Sequence, residues 1–119
     1  MYREMTSVEI LEDALETVKS GWTQGANARD ANWNLVPPTD ESACRWCLIG
    51  SVYRSVGYSS YSPNRDCELQ LKDSTRVFSL LEGIIGRELV LSSWNDDVDR
   101  TQADVLNLLN EALEKEKSK

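Results

Sequence analysis

The chain has 119 residues, 40% of them hydrophobic and 28% charged, which suits one domain (1–119) with a real core and argues against disorder. Its 20 acidic against 13 basic side chains give a net charge of −7, which disfavours direct nucleic-acid binding. Histidine is absent, which excludes Ser-His-Asp and Cys-His catalysis and zinc sites built on imidazole.

No apolar run approaches the roughly 20 residues that span a bilayer, and residues 1–10 lack the apolar stretch of a signal peptide. The expected location is therefore the cytoplasm, with no membrane partner. The three cysteines, Cys44, Cys47 and Cys67, are read as reduced thiols there.

The first helix is announced by Thr6-Ser7-Val8-Glu9, a capping box. Ile10, Leu11, Ala14, Leu15 and Val18 follow at helical spacing, with Glu9, Glu12, Asp13 and Glu16 largely opposite. Gly21 reads as a left-handed stop. Residues 22–38 are rich in Asn, Asp and Gly and predict a short hairpin. Its turn falls near Asp30-Ala31-Asn32, with residues 22–29 on one side and 33–36 on the other.

A second helix is expected over about 41–56, with Cys44, Cys47, Leu48, Ser51 and Val52 on one face and Gly57 closing it. Residues 58–68 read as a polar loop. A third helix begins between Leu69 and Ser74 and carries Val77, Phe78, Leu81, Ile84 and Ile85 inward as far as Gly86. Residues 87–100 read as irregular. Thr101 then caps a last helix, with Val105, Leu106, Leu108, Leu109, Ala112 and Leu113 inward and a frayed tail over 114–119. The fold class is mainly α, about four helices around one core with a small β-hairpin between the first and second helices.

Cys44-Arg45-Trp46-Cys47 is a C-x-x-C, but the strand setting of a redox motif is missing and only Cys67 remains as a further thiol ligand. The pair is read as packing residues, with no metal and no cofactor expected. The four tryptophans are many for this length, and Trp22 and Trp94 lie in polar stretches. Aromatic area beside convergent polar groups is what a ligand or partner site needs. The candidate binding residues are Trp22, Gln24, Arg29, Asp30, Trp94, Asn95 and Asp96. The competing reading is structural: tryptophans cover small cores, and Asn-Asp before a helix is ordinary turn chemistry.

Taken together, three segments resemble those of a small family of uncharacterised proteins from bacteriophages and from bacteria, notably actinobacteria and rhizobia. Residues 22–30 resemble its W-x-Q-G-x-x-A-R-D, Trp46-Cys47 with Gly50-Ser51 its W-C-x-x-G-A, and Trp94-Asn95-Asp96 its W-N-D, followed by R-T-x-x-E-V-L at 100–106. The resemblance runs from about 11 to 112. Ser51 stands where Ala is usual and Asp104 where Glu is. The turn at Asn32-Trp33 lacks a common glycine. The resemblance implies a phage-related accessory role, in host takeover or counter-defence, and names no ligand.

The expectation is thus a non-enzymatic protein binding a small molecule or a host protein through the Trp/Arg/Asp residues, Arg29 holding an anionic or carbonyl group bidentately. One alternative is an acidic inhibitor that uses the charged face of the first helix. Another is a small hydrolase or transferase using Asp30, Asp96 and Asp97 or Cys47.

Overall fold

The computed structural model describes residues 2–60, 64–86 and 90–119. Thr6 caps α1 (Ser7–Ser20) as the sequence predicts. Its hydroxyl accepts the Glu9 N–H at 3.1 Å, and Glu9 Oε1 accepts the Thr6 N–H at 2.9 Å. The stripe Ile10, Leu11, Ala14, Leu15 and Val18 is buried. It packs against α2 (Leu48–Val56) on one side and α5 (Gln102–Lys117) on the other. α3 (Cys67–Ile85) adds Val77 and Leu81 to the same core, and the short α4 (Leu91–Asn95) lies against α2 and α3. The protein is mainly helical: the described residues form five helices, with two short antiparallel strands between the first and second. Among the described residues no helix is long and apolar enough to cross a membrane.

The strands are β1 (Ala28–Arg29) and β2 (Arg45–Trp46), paired Ala28 with Trp46 and Arg29 with Arg45. The expected turn is also present: Arg29 bridges Leu35, Asp30 N donates to Asn34 O at 3.0 Å, and Trp33 N donates to Asp30 O at 3.0 Å. Asp30 Oδ1 accepts the N–H groups of Asn32 and Asn34, both at 2.9 Å. A three-residue loop of this kind puts its last residue in the left-handed region. Here that residue is Trp33, with φ of 67°.

The second helix starts later than its pattern suggests. Asp40 accepts from Ser42, and Ala43 N donates to Asp40 O at 3.1 Å, so the acidic run forms a turn. Trp46 is buried in β2 and donates from Nε1 to Pro38 O at 3.0 Å. Cys47 becomes the N-cap, its sulfur accepting the Gly50 N–H at 3.2 Å. Cys44 and Cys47 therefore do not share a helix face; both are free thiols, as is Cys67.

Other boundaries move too. α3 begins at Cys67, ahead of the expected 69–74, and α4 occupies part of the stretch read as irregular. α5 continues to Lys117, through most of the expected frayed tail. Residues 61–63 and 87–89, within two expected loops, lie outside the described residues. Gly21 is not left-handed: its φ is 175°, ordinary extended backbone. It is required for space, because a Cβ there would lie 2.0 Å from the Cys44 carbonyl oxygen.

Before α1, the N-terminal arm folds onto α3. Tyr2 Oη donates to Asp73 Oδ2 at 2.7 Å, and Met5 N donates to the same oxygen at 3.0 Å. Arg76 Nη1 adds a 2.9 Å contact to Asp73 Oδ1 and Nη2 donates to Met5 O. Burial works against the Asp73 charge, but these donors outweigh it and hold the carboxyl below its usual range.

Candidate functional site

Asn95 ends α4, is fully buried, and joins three elements. Its Oδ1 accepts Trp22 Nε1 at 2.9 Å and the first amide of α2, Leu48 N, at 3.1 Å. Its Nδ2 donates to Thr23 O at 3.2 Å and to Asp96 Oδ1 at 3.0 Å. Gln24 Nε2 donates to Asn95 O at 2.9 Å and Asp97 O at 2.8 Å, and Gly25 N donates to Asp96 Oδ1 at 2.9 Å. The fold thus brings together Trp22, Gln24, Asn95 and Asp96 from segments some seventy residues apart, roughly the separation a helical core closes.

The other three candidates face elsewhere. Trp94 is half-buried under Arg100, whose Cζ sits 3.9 Å from the ring centroid while its Nε donates to Trp94 O at 2.8 Å. Asp30 is engaged in its own turn. Arg29 reaches back over the loop: Nε to Thr23 Oγ1 at 3.1 Å, Nη1 to Trp33 O at 3.1 Å, Nη2 to Gln24 O at 3.4 Å. It links the Asn95 cluster to the hairpin turn through backbone carbonyls, and the bidentate grip on a ligand is not the geometry its donors adopt.

Beside the Asn95 cluster lies a cavity of about 230 Å³, walled by Gly25, Ala26, Asn27, Cys47, Ser92 and Asp96. Asn27 and Ser92 were not singled out by anything in their spacing, and Cys47 was expected only as a packing residue or as the nucleophile of the hydrolase alternative. Cys47 is a poor nucleophile here. Burial pushes its thiol from 9.0 to about 11, against the downward pull of the Gly50 and Ile49 amides. The carboxylates expected as an acid–base cluster serve separate turns: Asp97 Oδ1 accepts the Asp99 N–H at 2.9 Å, while Asp96 and Asp30 hold the loops above.

The hairpin turn presents a second feature. Trp33 is 56% exposed and Leu35 63% exposed. Arg45 Cζ lies 4.1 Å from the Trp33 ring centroid. On α1, Glu12, Asp13 and Glu16 are exposed; Asp13 accepts from Ser55 Oγ at 3.0 Å and Glu16 pairs with Lys19 at 3.4 Å.

No curated protein and no solved structure matches the chain. A family model does, over nearly all of it and across every element of this site: the chain belongs to DUF6197, a family of unknown function, matched at residues 3–115.

Proposed function

We propose that this chain is a non-enzymatic binding protein of the phage accessory kind its motifs resemble, acting in the bacterial cytoplasm on a host protein. The observation that carries this reading is Trp33. A large aromatic side chain is held out to solvent in a backbone conformation that costs about 1–2 kcal/mol for a residue with a Cβ. Its carbonyl is fixed by Arg29 and its ring by Arg45. Tryptophan and arginine are the residues that most often anchor protein interfaces, and a preformed anchor loses little entropy on binding. In this reading Arg29 is a positioning residue for the turn.

A second reading is favoured by the 230 Å³ cavity, whose walls are fixed by the Asn95 hydrogen bonds. It would accept a small ligand against Asp96 and Asn27. The two readings separate by substitution in a phage-infection assay with wild type as the positive control. Trp33→Ala with Leu35→Ala should abolish the effect if the hairpin is the interface. Ala26→Phe, which fills the cavity, should abolish it only if a small ligand is bound there. A hairpin variant that folds and retains full effect removes the first reading.

A further inference from the structure

Residues 34–36 run along the side of β1 that β2 leaves open. Val36 N donates to Ala28 O at 3.2 Å and Asp30 N donates to Asn34 O at 3.0 Å, on either side of the bridge between Arg29 and Leu35. Along an antiparallel strand the backbone groups of successive residues point alternately toward the neighbouring strand and away from it. Asn34 and Val36 bond inward, so the N–H and C=O of Leu35 point outward. Neither has a hydrogen-bond partner among the described residues, and Leu35 is an exposed residue. A bare edge of this kind is where an extended peptide adds as a further strand, its main chain supplying affinity and its alternate side chains specificity. Pro37 has no N–H and ends the edge, so one residue of an incoming strand pairs in register. Paired antiparallel, that residue exchanges both hydrogen bonds with Leu35.

Charge decides the occupant. Residues 20–71 contain no lysine. The Arg29 donors are taken by acceptors of its own loop, and Arg45 packs on the Trp33 ring with Nη1 donating to Asp30 O at 3.3 Å. Carboxylates stand at both ends of the edge. At one, Asp30 Oδ1 accepts the Asn34 N–H at 2.9 Å. At the other, Asp40 N donates to Pro37 O at 3.0 Å, with the exposed Glu41 beside it. A second copy of the chain would set these carboxylates against their own kind and add another charge of −7. A basic segment complements them.

We propose that the edge at Leu35 accepts an extended basic segment of the partner protein, paired antiparallel. An apolar residue of that segment lies opposite Leu35, its side chain beside the leucine's. A lysine or arginine follows two residues away on each side, about 7 Å along the strand, toward Asp30 and Asp40. This rests on the reading of the hairpin as the interface and gives the partner's chemistry.

The test is an NMR titration of the full chain with the capped pentapeptide Lys-Thr-Val-Thr-Lys, its Glu-Thr-Val-Thr-Glu counterpart, and the lysine peptide carrying N-methylvaline. The lysine peptide should shift the Leu35 amide and slow its hydrogen exchange, with a Kd at or below about 1 mM, modest because a short peptide pays to order itself. The glutamate and N-methyl peptides should each bind about tenfold or more weakly, the first lacking the charges and the second the donor to Leu35 O. Leu35→Pro removes the outward N–H and no bond within the protein, whereas Leu35→Ala keeps that N–H. The proline variant should therefore bind the lysine peptide about tenfold more weakly than the alanine variant. The proposal is overturned if no peptide protects the Leu35 amide, if the glutamate or N-methyl peptide binds as tightly as the lysine peptide, or if the proline and alanine variants bind alike. It is equally overturned if the Leu35 amide becomes protected as the protein alone is concentrated, which would make a second copy the occupant. Any of these results, with the infection effect still lost in the Trp33→Ala, Leu35→Ala double variant, would refute strand addition and leave the hairpin as an interface of side chains.

Discussion

Trp33 occupies the position in its turn where a glycine would meet no penalty, since φ there is 67°. Trp33→Gly should therefore be more stable than Trp33→Ala by about 1 kcal/mol, the reverse of the usual order of these two residues. Urea denaturation of both variants measures the difference, and an alanine variant as stable as the glycine one would mean the turn relaxes elsewhere. Cys47 makes a chemical prediction. With its thiol raised to about 11 and its side chain buried, it should be alkylated after Cys44 and Cys67 at pH 8, as mass spectrometry of partially labelled protein would show. The sign of the linkage follows. The native state holds this proton more tightly than the unfolded chain, so the stability contributed is complete below pH 9 and is lost as pH rises toward about 11. The turn was legible in the sequence from Asp30 and Asn32, and the absence of glycine beside them was visible too. That Trp33 itself takes the left-handed angle depends on which carbonyl and amide close the loop.

Two glycines on helices show how differently one residue type is used. Gly83 lies within α3 and a Cβ there would meet nothing within 4 Å. Gly83→Ala should stabilise the protein by about 0.5–1 kcal/mol, through helix propensity alone. Gly50 lies in the first turn of α2, where a Cβ would sit 1.8 Å from the Asn27 carbonyl oxygen. Gly50→Ala should cost about 3 kcal/mol or more, because backbone must move. Thermal melts of the pair check both, and equal effects would mean the contact at Asn27 yields freely. The capped helices α1 and α5 were readable because their signals are local: a Thr hydroxyl, an acid three residues on, and an apolar period of 3.6. The start of α2 was not. Residues 41–46 have helical spacing, yet pairing with Ala28–Arg29 and burial of Trp46 draw them into a turn and a strand.

The assembly is tied at two points by buried polar side chains. Asn95→Ala would strand the Trp22 indole N–H, the Leu48 amide and the Thr23 carbonyl together, and should cost about 3 kcal/mol or more in chemical denaturation. A loss below about 1 kcal/mol would mean water replaces the amide. At the other point Asp73 fastens the N-terminal arm. Its carboxyl is held below 3.8 in the folded protein, so the stability it contributes is present at neutral pH and is lost as pH falls through the carboxylate range. Asp73→Asn should flatten the acid side of the stability–pH profile and speed amide hydrogen exchange at Met5, whose N–H it accepts. Unchanged exchange there would show that the arm is held by its other contacts, the Tyr2 N–H bond to Asp66 among them.

Helical class, apolar faces, capping residues and the turn at Asp30 are all properties of neighbours along the chain, so composition and period reveal them. So too was the association of the Trp22 segment with Asn95-Asp96 anticipated, from polar residues gathered around tryptophans. What those groups do to one another is a matter of atoms brought from distant segments. Arg29 turns inward because three acceptors of its own loop surround it. Trp94 departs from the cluster because Arg100 covers it.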